Sequence, residues 1–147
     1  ELYFPATREE VAIDDDATGF DRLRGRGERI LVVDDDYGQR TIATELLGSL
    51  GYHCHAVASG EEALVYLDSN RADLVILDMV MPPGINGAET FRRIVAANPA
   101  QLAIISSGFA DSDDLQRALA DGVRRFVKKP YLAKTLASAV QDTLAGR

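Results

Sequence analysis

From Arg29 onward, short apolar runs alternate five times with amphipathic stretches, and this alternation limits the possible folds more than any other feature of the chain. The runs are Ile30–Val33, Tyr52–Val57, Asp73–Leu77, Leu102–Ile105 and Val123–Val127. Ile30–Val33, Leu74–Leu77 and Leu102–Ile105 are continuously apolar, as expected of strands buried on both faces. Between and after them, apolar residues recur at helical spacing: Ile42, Leu46, Leu47 and Leu50; Ala63, Leu64 and Leu67; Phe91, Ile94 and Val95; Leu115, Ala118 and Leu119; Leu132, Leu136, Val140 and Leu144. Ser59 and Asp111 are placed to cap helices, and Gly51 and Gly122 to stop them. Five strands alternating with five helices through short connections predict a parallel sheet covered on both faces. Right-handed crossovers leave few topologies, and the doubly wound order 2-1-3-4-5 is the expected one.

Ligands of such sheets bind outside the carboxyl ends of the strands. The third run ends on Asp78, followed by a loop marked by Pro82, Pro83, Gly84 and Gly87. The first run ends in Asp34-Asp35-Asp36, the fourth in Ser106-Ser107-Gly108 and the fifth in Lys128-Lys129-Pro130. If these ends converge, two carboxylates about 4 Å apart repel by about 4 kcal/mol at an effective dielectric near about 20. Such a group recruits a cation or raises its own pKa values. Oxygen ligands suit a hard ion such as Mg²⁺. The charges of Asp34, Asp35 and Asp78 would then be cancelled by Mg²⁺ and the Lys129 ammonium. A phosphoryl group could enter without net repulsion, Ser107 could donate to one of its oxygens, and a carboxylate would remain as nucleophile.

At these residues the chain resembles two-component receiver domains. The resemblance rests on Val32-Val33-Asp34-Asp35, Leu77-Asp78-Met79-Val80-Met81-Pro82, Ser107-Gly108 and Lys129-Pro130, with Gly51-Tyr52, Gly60-Glu61-Glu62-Ala63-Leu64 and Phe126 between them. It implies a flavodoxin-like fold over residues 28–147 and a phosphoacceptor fed by a histidine kinase or histidine phosphotransfer domain. It also implies that Asp78 is the acceptor. Asp34, Asp35, Asp78 and the Val80 carbonyl would hold Mg²⁺, Lys129 would be the ammonium, and Ser107 and Phe126 would form the switch. The Lys129–Pro130 bond is expected to be cis. One departure is visible: the loop Met81-Pro82-Pro83-Gly84-Ile85-Asn86-Gly87 is one residue longer than the family's usual pattern.

Residues 1–27 differ in character. Leu2-Tyr3-Phe4-Pro5 resembles the last strand of a histidine-kinase ATP-binding domain, and Ser106-Ser107-Gly108-Phe109 resembles the receivers of hybrid kinases. Residues 1–8 are therefore expected to be the remnant of a preceding domain and 9–27 a linker, with a short helix somewhere in 14–24. Residues 1–8 are expected to pack on a second copy, giving a homodimer. The parent would be a hybrid sensor histidine kinase. This segment would lie in the cytoplasm even if the parent is membrane-anchored, and as an isolated chain it would not be an enzyme in the ordinary sense.

Composition narrows the alternatives. A net charge of −7 with no basic cluster argues against nucleic acid as a partner, since Arg22, Arg24, Arg26 and Arg29 are interleaved with acids. No signal peptide or membrane span is expected. The single cysteine, Cys54, allows no internal disulfide. His53 and His55 share one strand face without a third ligand and are expected at an edge or surface. An aspartyl phosphatase of the haloacid-dehalogenase type would need an Asp two residues after the nucleophile, where this chain has Val80. A nucleotide or flavin module would need a phosphate cradle, and Gly-x-Gly-x-x-Gly is absent.

Overall fold

The computed structural model describes residues 22–108, 113–129 and 131–146. Five strands alternate with five helices: β1 (Arg29–Val33), α1 (Tyr37–Ser49), β2 (His53–Val57), α2 (Gly60–Ser69), β3 (Leu74–Asp78), α3 (Gly87–Ala97), β4 (Leu102–Ser107), α4 (Asp113–Ala120), β5 (Arg125–Lys128) and α5 (Ala133–Ala145). All neighbouring strands are parallel, in the expected order β2-β1-β3-β4-β5.

Side-chain alternation divides the strands' apolar residues between two cores. Ile30, Val32, Leu74, Ile76, Leu102, Ile104 and Val127 face α1 and α5, meeting Leu47, Leu136, Val140 and Leu144. Leu31, Val33, Val75, Leu77, Ala103 and Ile105 face the other way, onto Ala63, Phe91, Ile94 and Ala118. Continuous apolar runs are needed because both faces are covered. The helices start where their side chains can satisfy free N–H groups: Asp36, Ser59 and Asn86 accept from Gln39, Glu62 and Glu89. Gly51 and Gly122 follow α1 and α4 with φ of 96° and 111°, a region in which a Cβ is penalised.

Several expectations are corrected. Ile42 is 55% exposed, because in α1 it lies off the face carried by Ala43 and Leu47. Leu132 is the N-cap residue of α5 and is 75% exposed, so the buried face of that helix begins at Leu136. Leu119 is also on the outside. The second strand starts one residue later than expected, the fourth extends to Ser107, and the fifth is shifted to Arg125–Lys128. His53 and His55 are exposed on edge strand β2, as expected, and His55 stacks on Tyr66 with ring centroids 4.3 Å apart. The readings on residues 1–21, the Asp111 cap and the Lys129–Pro130 bond lie outside the described residues.

The described chain begins before β1. Leu23 is buried in the core between the sheet and helices α1 and α5. The N–H groups of Gly25 and Gly27 donate to the carbonyls of Leu50 (2.6 Å) and Gly51 (3.0 Å), and Gln141 Nε2 donates to the Arg22 carbonyl. This lead-in packs against the end of the sheet where the strands start.

Candidate functional site

Register alone brings the acidic residues together. Val33 pairs with Leu77, so the next residue on each strand, Asp34 or Asp78, emerges at the same level between β1 and β3. By strand alternation both share the side of the sheet that carries Val32 and Ile76. Lys129 follows Val127 at the same parity, and its main-chain N–H donates to the Ser107 carbonyl at 2.7 Å, which extends the β4–β5 pairing. Its ammonium therefore reaches across the strand ends, with Nζ 2.6 Å from Asp34 Oδ2 and 3.2 Å from Asp78 Oδ1.

Asp34 and Asp78 are buried and Asp35 is exposed. One carboxylate oxygen from each lies within 4.8 Å of the others. This set consists only of hard oxygen donors and is open to solvent on the Asp35 side, so it fits a hard divalent cation. Burial pushes the Asp78 carboxyl up to about 6, Asp34 pushes in the same direction, and Lys129 opposes both. Burial works against the Lys129 ammonium, but the hydrogen bond and charge of Asp34, with Asp78 adding to them, outweigh it and raise its pKa. The two carboxylates thus share the Lys129 ammonium.

Ser106 pairs with Asp78 across the β3–β4 ladder, and the Met79 N–H donates to its carbonyl at 2.9 Å. Ser107 lies one residue on and is equally buried. Its strand parity matches Ile105, which pairs with Phe126, so Ser107 and Phe126 lie on one face of adjoining strands. Phe126 is half-buried against the core on that side. Val80 is half exposed in the loop after Asp78. That loop carries a cis Pro82–Pro83 bond, and its far end is tied back by Gly87 N–H to the Met79 carbonyl at 2.9 Å. A Cβ on Gly87 would meet the Asp78 carbonyl at 2.5 Å, so glycine lets α3 start against the end of β3.

Sequence reasoning did not assign the residues that hold Asp34. Asp36 N–H donates to Asp34 Oδ1 at 2.9 Å, and Arg40 donates to the Asp34 carbonyl at 2.7 Å. The Asp36-x-x-Gln39 spacing is the one signal that could have marked Asp36 as the cap of α1.

Fold and site together define a doubly wound α/β domain with an acidic, lysine-bridged pocket at the switch point between β1 and β3. The family model for the response regulator receiver domain matches residues 30–141, and the chain belongs to that family. Sporulation initiation phosphotransferase F of Bacillus subtilis (strain 168) is 32% identical over 117 residues, which span 80% of this chain and 94% of that protein. The C4-dicarboxylate transport transcriptional regulatory protein DctD of Rhizobium meliloti (strain 1021) is 32% identical over 112 residues, or 76% of this chain and 24% of that protein. The DNA-binding response regulator MtrA of Mycolicibacterium smegmatis is 32% identical over 80% of this chain, which spans 50% of its length. Among solved structures, the CheY-like receiver domain protein of Methanospirillum hungatei JF-1 superposes with a TM-score of 0.78 at 23% identity, over 82% of this chain and 95% of that one. The receiver domain of an HD domain-containing protein from Pseudomonas fluorescens Pf-5 gives 0.77 at 28% identity, over 82% and 97%. Among the described residues no helix is long and apolar enough to cross a membrane.

Proposed function

We propose that this receiver takes a phosphoryl group from a phosphohistidine onto Asp78. The observation that carries the reading is the Lys129 ammonium bridging Asp34 and Asp78 inside a three-carboxylate cluster. An oxygen of Asp78 forms the new P–O bond as the P–N bond to the donor imidazole breaks and the electron pair leaves with the ring. In this reading Lys129, already 3.2 Å from Asp78 Oδ1, pairs with a phosphoryl oxygen, and the Ser107 hydroxyl donates to another. Asp34, Asp35, Asp78 and the Val80 carbonyl would hold Mg²⁺, which when bound offsets the carboxylate charge and favours entry of the phosphoryl oxygens. With the phosphoryl group in place, Ser107 is drawn toward it and Phe126 fills the vacated space. Such a switch is two packings of adjoining strands biased by one covalent event.

The partner is a histidine kinase or histidine phosphotransfer domain in the cytoplasm. The parent we propose is a hybrid sensor kinase, supported by the resemblance of Leu2–Pro5 and Ser106–Phe109 to that group. In that reading residues 1–8 belong to the preceding domain and the receiver begins at 28. The linker's last residues, 22–27, dock on the domain. Incubation with acetyl phosphate and Mg²⁺ should label a single carboxylate. Asp78→Asn and chelation should each abolish the label, and labelling that persists in either case refutes the assignment.

A further inference from the structure

The loop from Met79 to Asn86 is pinned at its two ends, by Met79 N–H on Ser106 and by Gly87 N–H on Met79. Between those pins a side chain reaches in from another element. Glu61, in the first turn of α2, accepts the Ile85 N–H on Oε2 at 3.0 Å across 24 residues of sequence. The same carboxylate lies so close over Gly84 that a Cβ there would collide with it. Ile85 in turn covers Gly60, where a Cβ would meet Ile85 Cγ1 at 2.7 Å. Two successive residues of α2, Gly60 and Glu61, therefore clasp two successive residues of the loop, Gly84 and Ile85. The Ile85 N–H holds the Glu61 carboxyl below its usual range, with help from Glu61's own N–H and from Arg93.

This is also the stretch in which the chain is one residue longer than its family's pattern. The extra length adds freedom between Asp78 and α3, and every added residue increases the entropy to be overcome when the loop is fixed. A tether from outside the loop offsets that freedom. We infer that Glu61 is a positioning residue for the acceptor loop, holding Gly84 and Ile85 so that the Val80 carbonyl stays aligned with the carboxylates of Asp34, Asp35 and Asp78. The inference rests on the reading of this pocket as the Mg²⁺ and phosphoryl site. Glu61 touches neither group. It acts through the backbone, as residues that orient metal ligands from behind do.

The test uses the full chain with Glu61→Ala, Glu61→Gln and Gly84→Ala. Glu61 is exposed, so all three should fold, and thermal melts without Mg²⁺ check this. Loss of the tether should speed hydrogen exchange at the Ile85 amide by about tenfold in Glu61→Ala, the worth of one hydrogen bond. Mg²⁺ affinity, read by titrating amide resonances with MgCl₂ alone, should fall by about tenfold in the same variant. Half-saturation by acetyl phosphate should rise, with the rate at saturating donor and Mg²⁺ little changed. Glu61→Gln keeps an acceptor oxygen and should restore all three readouts, whereas Gly84→Ala displaces the carboxylate and should behave like Glu61→Ala. Unchanged Ile85 exchange in Glu61→Ala overturns the tether, and faster exchange with unchanged Mg²⁺ affinity overturns its positioning role. Neither measurement needs phosphoryl transfer. Labelling that persists in Asp78→Asn would therefore fail the acceptor assignment separately.

Discussion

Replacing Asp78 by Asn should stabilise the metal-free protein, although it removes the proposed phosphoacceptor. The structure gives the reason. Asp78 is buried beside Asp34, the two share the Lys129 ammonium, and the Asp78 carboxyl rises from its ordinary 3.8 to about 6. A folded-state pKa above the unfolded value means that the native protein holds the proton more tightly. Ionisation therefore costs stability above pH about 6, and the cost fades as pH falls through that value toward the unfolded one. About two units at about 1.4 kcal/mol each set a ceiling of about 3 kcal/mol. Solvent on the Asp35 side screens the charge and reduces the expected cost to about 1–2 kcal/mol. Asn keeps an acceptor oxygen for Lys129, which also retains Asp34, so the substitution removes the repulsion and little else. In EDTA at pH 7.5, urea or thermal unfolding should show Asp78→Asn more stable by that amount, a rise of about 4–8 °C in Tm. The gap should close between pH about 6 and 4. Adding Mg²⁺ should reverse the order, because the ion stabilises the wild type by binding the native state. A variant no more stable than wild type at pH 7.5, or a gap that does not change with pH, would refute the electrostatic account.

Lys129→Met leaves two buried carboxylates without their ammonium and should destabilise the metal-free protein by about 1–3 kcal/mol at pH 7.5, read by urea titration, as well as slowing phosphorylation. Leu23→Ala should cost about 2–4 kcal/mol, because Leu23 is a core residue; a loss below about 0.5 kcal/mol would show that the lead-in adds nothing. Gly87→Ala forces a Cβ against the Asp78 carbonyl and should slow phosphorylation by acetyl phosphate more than it lowers Tm. Burial raises the Cys54 thiol to about 11, so a disulfide reagent at pH 8 should modify it far more slowly than a free thiol, and unfolding should abolish the difference.

The sheet order and the four strand ends were legible because both follow from simple periodicities. Continuous apolar runs separated by helical patterns leave few topologies, and a topology fixes which strand ends adjoin. Asp34, Asp78 and Lys129 could thus be placed together before any coordinates. Single helix faces were less legible: in α1, Ile42 and Leu46 are both strongly apolar, yet one is exposed and the other partly buried. When a helix carries more apolar residues than one stripe can bury, the surface beneath it decides which of them stay out. Long-range polar contacts were not legible. The Glu61–Ile85 bond joins residues that no pattern relates, because a backbone N–H carries no signature of its partner. Burial of Leu23 was hidden for a related reason: an apolar residue in a polar, glycine-rich stretch has no period to reveal which surface it will find.

The docking of residues 22–27 separates two kinds of connection to this domain. The chain arrives against the bottom of α1 and the start of β1, while the carboxylates open at the far ends of β1 and β3. Five residues of strand, roughly 16 Å, lie between those poles. Residues 22–27 therefore leave the rim around Asp34, Asp35 and Asp78 uncovered. Leu23 and the Gly25 and Gly27 N–H groups fix this entry to the core and to the end of α1, at the pole away from Asp78. The entry to the domain and its carboxylate cluster are thus held by different ends of the same sheet, so a change at one end need not disturb the other.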